Sequence, residues 1–291
     1  MTDKMIIYHA NCADGFTSNW VAHHALLKQW RGSDISEGSP SPVIECVPMH
    51  YKQPPPDVTD KEVYICDFSF PRQILLEMKS KASALVVLDH HQTAKEDLEG
   101  LDFCIFDMGR SGAAITWDYF SFRDNILPVE RHWLVDYVQD RDLWHWKLPN
   151  SREVSDAISC RPFTFEAWEE MVSKSASQLA AEGSAVGKYR DNITKVHIER
   201  AYITKLDGFE VPAVNASTLD YSEIANILSR GYPFAVAWSY LGEGLFRYSL
   251  RATSDCNVAA IAKKWDGGGH HQAAGFTSKD FLVPAIRKFK E

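Results

Sequence analysis

The stretch Leu85-Val86-Val87-Leu88 runs straight into Asp89-His90-His91, and this is the feature that most limits how the chain can fold. A short, unbroken apolar run suits a strand buried on both faces, which belongs in a parallel sheet covered by helices on each side. The same grammar recurs upstream. Met5–His9 reads as a strand that ends in His9, and Val63–Cys66 as one followed by Asp67. Val43–Val47 and Phe103–Phe106 complete the set of strand candidates. Helical patterns fall between them at Phe16–Leu27, at Pro71–Lys79 with proline at the first turn, and then at Gly112–Phe122 and Val129–Asp140. Strands alternating with helices predict an α/β layer with a mostly parallel sheet, whose ligands gather beyond the carboxyl ends of the strands.

The pattern changes after residue 150. Phe165–Asp191 is rich in alanine, serine and glutamate and reads as helix. His197–Thr204, Phe209–Val214, Phe234–Leu241 and Leu245–Ala252 read as strands, with helices at Tyr221–Ser229 and Val258–Lys264. We therefore expect an N-terminal α/β domain over 1–150, a helical connector over 151–195 and a smaller C-terminal α/β domain over 196–291. The segment 32–42, GSDISEGSPSP, reads as an exposed loop. A length of 291 residues suits two domains at roughly 100–200 residues each.

Six scattered cysteines with no CxxC pair, no apolar leader and no apolar run of the ~18–20 residues a span requires point to a reduced cytoplasmic protein rather than a membrane protein. A formal net charge of −8 argues against coating long nucleic acid, but not against a small phosphorylated ligand in a local pocket. Among nine tryptophans, Trp144 and Trp146 lie just beyond Asp140. Aromatic rings there could stack a base, with core packing as the alternative.

Three successive strands thus deliver His or Asp to one sheet edge. Taken singly, each would be an ordinary strand end; together they form a ligand set. Imidazole with carboxylate suits divalent first-row metals, and a shared carboxylate can bridge two of them.

The motifs resemble those of the DHH phosphoesterase superfamily. The matching pieces are His9 with Asp14-Gly15, Asp67 in YICDFSF, Asp89-His90-His91, RSGAAITWDYF at 110–120, Asp140 in YVQDRDLW, and WDGGGHHQAAGF at 265–276. The last is similar to the GGGH motif of the DHH-associated domain. The resemblance implies metal-dependent hydrolysis of phosphodiester or phosphomonoester bonds in short oligonucleotides or small nucleotides, as in nano-RNases and oligoribonucleases. Cyclic (di)nucleotide phosphodiesterases and single-strand exonucleases share the arrangement, and a homodimer is consistent with it.

The resemblance also implies roles. His9 and Asp67 would bind a first metal, and Asp14, Asp67, His90 and Asp140 a second, one or two ions in all, with Mn2+ expected and Zn2+, Fe2+ or Mg2+ as alternatives. His91 would contact phosphate or donate a proton, and Asp89 would orient a histidine. Arg110 and Ser111, before a helix N-terminus, and Arg251, Gly267, Gly268, Gly269 and His270 would hold the substrate, with the glycines presenting backbone N–H groups to an anion.

One position departs from the family pattern. Cys12-Ala13-Asp14-Gly15 has cysteine where the motif carries its first aspartate. Four readings are open. Cys12 is a thiolate ligand favouring a softer ion, or Asn11 supplies a neutral oxygen, or the first site is weak and fills only with substrate present, or Cys12 only packs. A degenerate site would leave a nucleotide-binding sensor.

Overall fold

Each apolar run of the first half forms a strand because both its faces find cover. In the computed structural model, which describes residues 3–32, 43–216 and 221–289, the strand β1 (Lys4–His9) sends Met5 and Ile7 to one core and Ile6 and Tyr8 to cores on the opposite face. The helix α1 (Ala13–Gly32) follows, then the strands β2 (Ile44–Met49) and β3 (Glu62–Cys66), the helix α2 (Arg72–Lys81), the strand β4 (Ala84–Asp89), the helix α3 (Gln92–Asp97) and the strand β5 (Cys104–Phe106). In β3, Val63 and Ile65 share a core with Leu75 and Met78 of α2, while Tyr64 and Cys66 face Ala22, Ala25 and Leu26 of α1. This two-sided burial is what the unbroken apolar runs encode.

The five strands pair in the order β2-β1-β3-β4-β5, all parallel. The order reverses direction between β1 and β3. A crevice therefore opens beyond the carboxyl ends of these two strands, the switch point where ligands of doubly wound sheets sit.

The helix α4 (Gly112–Asp118) continues through a π-helical turn, Tyr119–Arg123, rather than as one α-helix to residue 122. The helix α5 (Trp133–Asp142) starts four residues later than the pattern suggested, because the His132 side chain accepts the Leu134 N–H at 3.2 Å and caps it there. The helices α6 (Ser151–Ser159), α7 (Phe165–Val172) and α8 (Ala176–Glu199) come next. Trp168 of α7 is fully buried, 4.7 Å from Phe16 of α1 between ring centroids, and donates its indole N–H to Thr17 at 3.1 Å. Helices α6 and α7 thus share a core with α1, α4 and α5.

The chain divides into two compact units, one ending at Gly187 and one starting at Lys188. Helix α8 runs to Glu199, so the strand expected from His197 begins only at Tyr202. In the second unit, β6 (Tyr202–Leu206), β7 (Phe209–Asn215), α9 (Tyr221–Leu228), β8 (Ala235–Gly242), β9 (Leu245–Arg251), α10 (Val258–Lys263), β10 (Gly268–His270), β11 (Ala273–Ser278) and β12 (Arg287–Lys288) build a sheet ordered β10-β11-β9-β8-β7-β6-β12. Only β7 and β8 pair in parallel, and α9 lies between them in the chain. The α/β class with two sheets is as expected from the sequence. Beyond Gly32, the loop expected over 32–42 lies outside the described residues. No helix among the described residues is long and apolar enough to cross a membrane.

Candidate metal centre

The sheet register sets the site. Tyr8 is level with Cys66, and Cys66 with Leu88, so the next residues, His9, Asp67 and Asp89, emerge side by side at the carboxyl edge. Asp67 turns out of β3 in the left-handed region (φ 53°), with its N–H on Leu88 O at 2.8 Å. Its carboxylate is buried and meets His90 Nε2 at 3.1 Å and His9 Nδ1 at 3.6 Å. Asp89 is fully buried, and its Oδ1 accepts the His90 N–H at 2.8 Å and His91 Nδ1 at 2.7 Å. That bond directs the other ring nitrogen of His91 toward the cluster, where the His9 and His91 ring centroids are 5.8 Å apart.

Asp14 enters from the first turn of α1. Its oxygens accept the N–H groups of Gly112 (2.6 Å) and Ala113 (3.0 Å), so the N-terminus of α4 is directed at this carboxylate. Gly112 is required by contact: a Cβ there would lie 2.4 Å from Asp67 Cβ. Ser111 is the N-cap residue of α4. It is buried, and its Oγ caps α4 by accepting the Ala114 N–H at 3.3 Å. The Arg110 guanidinium is engaged by Asp107 at 3.3 Å and by Asp118. Both side chains thus serve the local fold in this structure.

Asp140, expected as a ligand, is turned away from the cluster. Its carboxylate accepts the backbone N–H groups of Lys147 (3.0 Å) and Leu148 (3.2 Å); burial opposes its charge, but Ser151 and these N–H groups hold it below the usual carboxylate range. The carboxylate that α5 brings to the cluster is Asp142, whose Oδ2 lies 3.5 Å from His90 Nε2. Asp14 Oδ2 lies 3.7 Å from the same nitrogen.

The sequence offers Asp142 beside Asp140, and the burial pattern of α5 picks it out. It stands four residues after buried Val138, one helical turn along the same face of α5. Tyr51 was also missed. It follows β2, whose carboxyl end shares this sheet edge, and its half-exposed ring lies 5.5 Å from His9 and 6.1 Å from His91.

The electrostatics are those of a site short of positive charge. Burial, then the charges of Asp67 and Asp142, push the Asp14 carboxyl well above its ordinary value. Burial opposes the charge on His90, but the bond to Asp67 and the charges of Asp142, Asp67 and Asp14 outweigh it and raise the imidazole to about 11. Burial opposes ionisation of Asp67 too, yet His9 and His90 hold it well below its ordinary value. Asp89 Oδ2 is buried with no hydrogen-bond partner among the described residues, and Asp142 Oδ2 has none beyond its long contact to His90. Unpaired carboxylate oxygens are costly in a buried site unless a cation meets them.

Among the described residues of the first unit, two groups of side chains could each hold a metal ion, His9 with Asp67 and His91, and Asp14 with His90 and Asp142. Within each group the ligand atoms lie within 4.8 Å of one another. Nitrogen and oxygen donors of this kind fit a divalent first-row ion. Cys12 is half-buried and feels the same carboxylates. Burial and the charges of Asp67, Asp142 and Asp14 push its thiol well up, so without a cation it is a neutral thiol. The Asn11 amide faces His50 Nε2 at 3.5 Å.

The second unit treats its predicted residues differently. Gly268–His270 is not a loop but the strand β10, paired with β11 at the edge of the sheet. A Cβ on Gly267 would meet Gly275 O at 2.3 Å, and one on Gly269 would meet Ala273 O at 2.5 Å. The glycines therefore allow close strand contact, and His270 ends the strand. Arg251 ends β9 with its guanidinium on Ser222 Oγ (2.8 Å), Leu250 O (2.8 Å) and Ser249 Oγ (3.0 Å).

No family model matches the chain. An uncharacterized protein of Acanthamoeba polyphaga mimivirus is 29% identical, with 93% of this chain aligned; the chain spans 66% of that protein's length. Among solved structures, the DHH domain of a member of a ribosomal-protein family superposes with a TM-score of 0.60 at 12% identity, covering 94% of this chain and 82% of that one. A pGpG-specific phosphodiesterase from Vibrio cholerae gives 0.51 at 13% identity over 98% of this chain and 94% of its own. An exopolyphosphatase-related protein from Bacteroides fragilis gives 0.51 at 13% identity, over 97% and 88%. At these identities the likeness is one of fold, and the fold is that of DHH-domain proteins.

Proposed function

We propose that the chain is a divalent-metal-dependent phosphoesterase of the DHH superfamily, hydrolysing phosphodiester or phosphomonoester bonds of short oligonucleotides or small nucleotides. The observation that carries this reading is the convergence of His9, Asp14, Asp67, His90, His91 and Asp142 at the switch point of the parallel sheet. The names of two fold neighbours, a phosphodiesterase and an exopolyphosphatase-related protein, agree with it.

Asp14, Asp67, His9, His90 and Asp142 would hold the cation, for which we favour manganese, and it would supply Lewis acidity toward a phosphoryl oxygen. Asp67 lies between His9 and His90 and is the residue placed to serve both ligand groups. His91, fixed through Nδ1 by Asp89, is the candidate proton donor to the leaving oxygen. Burial disfavours its charge, but the Asp89 carboxylate raises its affinity for a proton above that of an ordinary imidazole.

The test is hydrolysis by chelator-stripped protein resupplied with manganese. We expect shortening of a 5′-labelled di- to pentaribonucleotide ladder. A ladder left intact with manganese, zinc and iron alike, together with intact bis-p-nitrophenyl phosphate and pyrophosphate, would overturn the reading and favour a nucleotide sensor.

A second measurement separates Asp140 and Asp142, the two acidic residues at the end of α5. Asp142→Asn should weaken manganese binding, read by calorimetry, by about 10-fold or more, the scale seen when groups in and around metal sites are removed. Asp140→Asn should instead lower the melting temperature and leave manganese affinity near wild type. The reverse pattern would restore Asp140 as the ligand.

A further inference from the structure

The turn that follows Asp142 breaks three local rules at once. Trp144 (φ 58°) and Trp146 (φ 54°) both adopt the left-handed region, where bulky side chains are outliers. The indole N–H of Trp146 is buried with no acceptor among the described residues. Neither tryptophan belongs to a hydrophobic core formed by the described residues of its unit, so those cores do not account for them. Departures of this kind persist where surrounding structure enforces them, and they cluster at ligand sites.

The enforcing structure is Asp140. Its backbone carbonyl accepts the His145 N–H at 2.8 Å, and its carboxylate takes the N–H groups of Lys147 and Leu148. One residue thus pins the turn from both its backbone and its side chain. The turn presents a cationic aromatic surface. The Arg141 guanidinium lies over Trp144 at 4.4 Å and Trp146 at 5.4 Å, and Arg152 lies over Trp146 at 4.4 Å. The two indoles meet edge to face at 5.1 Å, and Trp144 is only partly buried. It stands two residues from Asp142, which reaches His90.

We propose that this turn is a nucleobase subsite: Trp144, backed by Arg141 and Trp146, stacks the base of a nucleotide whose phosphate lies at the His90–Asp142 cluster, and Asp140 is its positioning residue. The inference rests on the phosphoesterase reading and deepens it, because an indole surface has no use for inorganic polyphosphate, whereas a base has a π-face and its phosphate a negative charge.

The test compares adenosine 5′-monophosphate with ribose 5-phosphate, titrated calorimetrically into the full chain with manganese. The wild type should prefer the base-bearing ligand by about 10-fold or more, the scale of one base stacked on an aromatic side chain. Trp144→Leu, which keeps bulk and removes the π-face, should bring that ratio below about 2-fold, and Trp144→Phe should restore most of it. Equal affinity of the wild type for the two ligands, or a preference that survives Trp144→Leu, overturns the subsite. The outcomes separate from those of the hydrolysis test. A protein that cleaves phosphoesters without base preference loses the subsite alone. One with a Trp144-dependent preference that cleaves nothing loses the phosphoesterase reading alone.

Discussion

Asp67→Ala is expected to lower kcat/KM for manganese-dependent phosphoester hydrolysis by about 10^3-fold, at the upper end of what loss of one fixed electrostatic group costs. The reason lies in its place in the site. Asp67 Oδ1 meets His90 and Oδ2 faces His9, so one carboxylate joins the two ligand groups. No neighbour can move in, because Asp14 is held by Gly112 and Ala113, and Asp89 by His91. The substitution also removes the partner of His9 and His90, so some stability should be lost with it while the fold is retained. Hydrolysis assays paired with circular dichroism check both halves. Wild-type rates in a folded Asp67→Ala protein would remove the metal site from the mechanism.

The second large effect concerns stability. Trp168→Ala should cost about 3–5 kcal/mol of unfolding free energy, the range for large aromatic deletions in a core. Trp168 has no exposed surface, packs on Phe16 and on Phe163 with ring centroids 5.6 Å apart, and gives Thr17 its indole hydrogen bond. Alanine would leave both a cavity and a buried hydroxyl short of a donor. Urea denaturation followed by circular dichroism measures the loss. A cost below about 1 kcal/mol would mean that α7 is peripheral, and would favour the sequence reading of 151–195 as a separate connector. Because Phe16 and Thr17 sit close behind Asp14 on α1, a loosened α1 should also weaken manganese binding.

Much of the site was legible because strand ends are a local property. Unbroken apolar runs marked β1, β3 and β4, and the next polar residues were His9, Asp67 and Asp89-His90-His91, which parallel register sets side by side. Asp14-Gly15 was legible for a similar reason: the helix that follows β1 must start near that edge, and Gly15 permits the approach, a Cβ there falling 2.2 Å from His9 O.

What the sequence could not decide were choices made by distant partners. Asp140 and Asp142 are about 200° apart around a helix, so which one reaches His90 depends on how α5 rolls against the rest of the unit. Arg110 and Ser111 read as anion-binding groups, yet Asp118 and the N-terminus of α4 claim them. The three glycines read as an anion-binding loop, and antiparallel pairing of β10 with β11 makes two of them strand. The strands and their terminal ligands therefore follow from hydrophobic periodicity along the chain. The roll of α5, the partners of Arg110 and Ser111 and the state of the glycine motif follow from contacts between elements, whose energies no local pattern records.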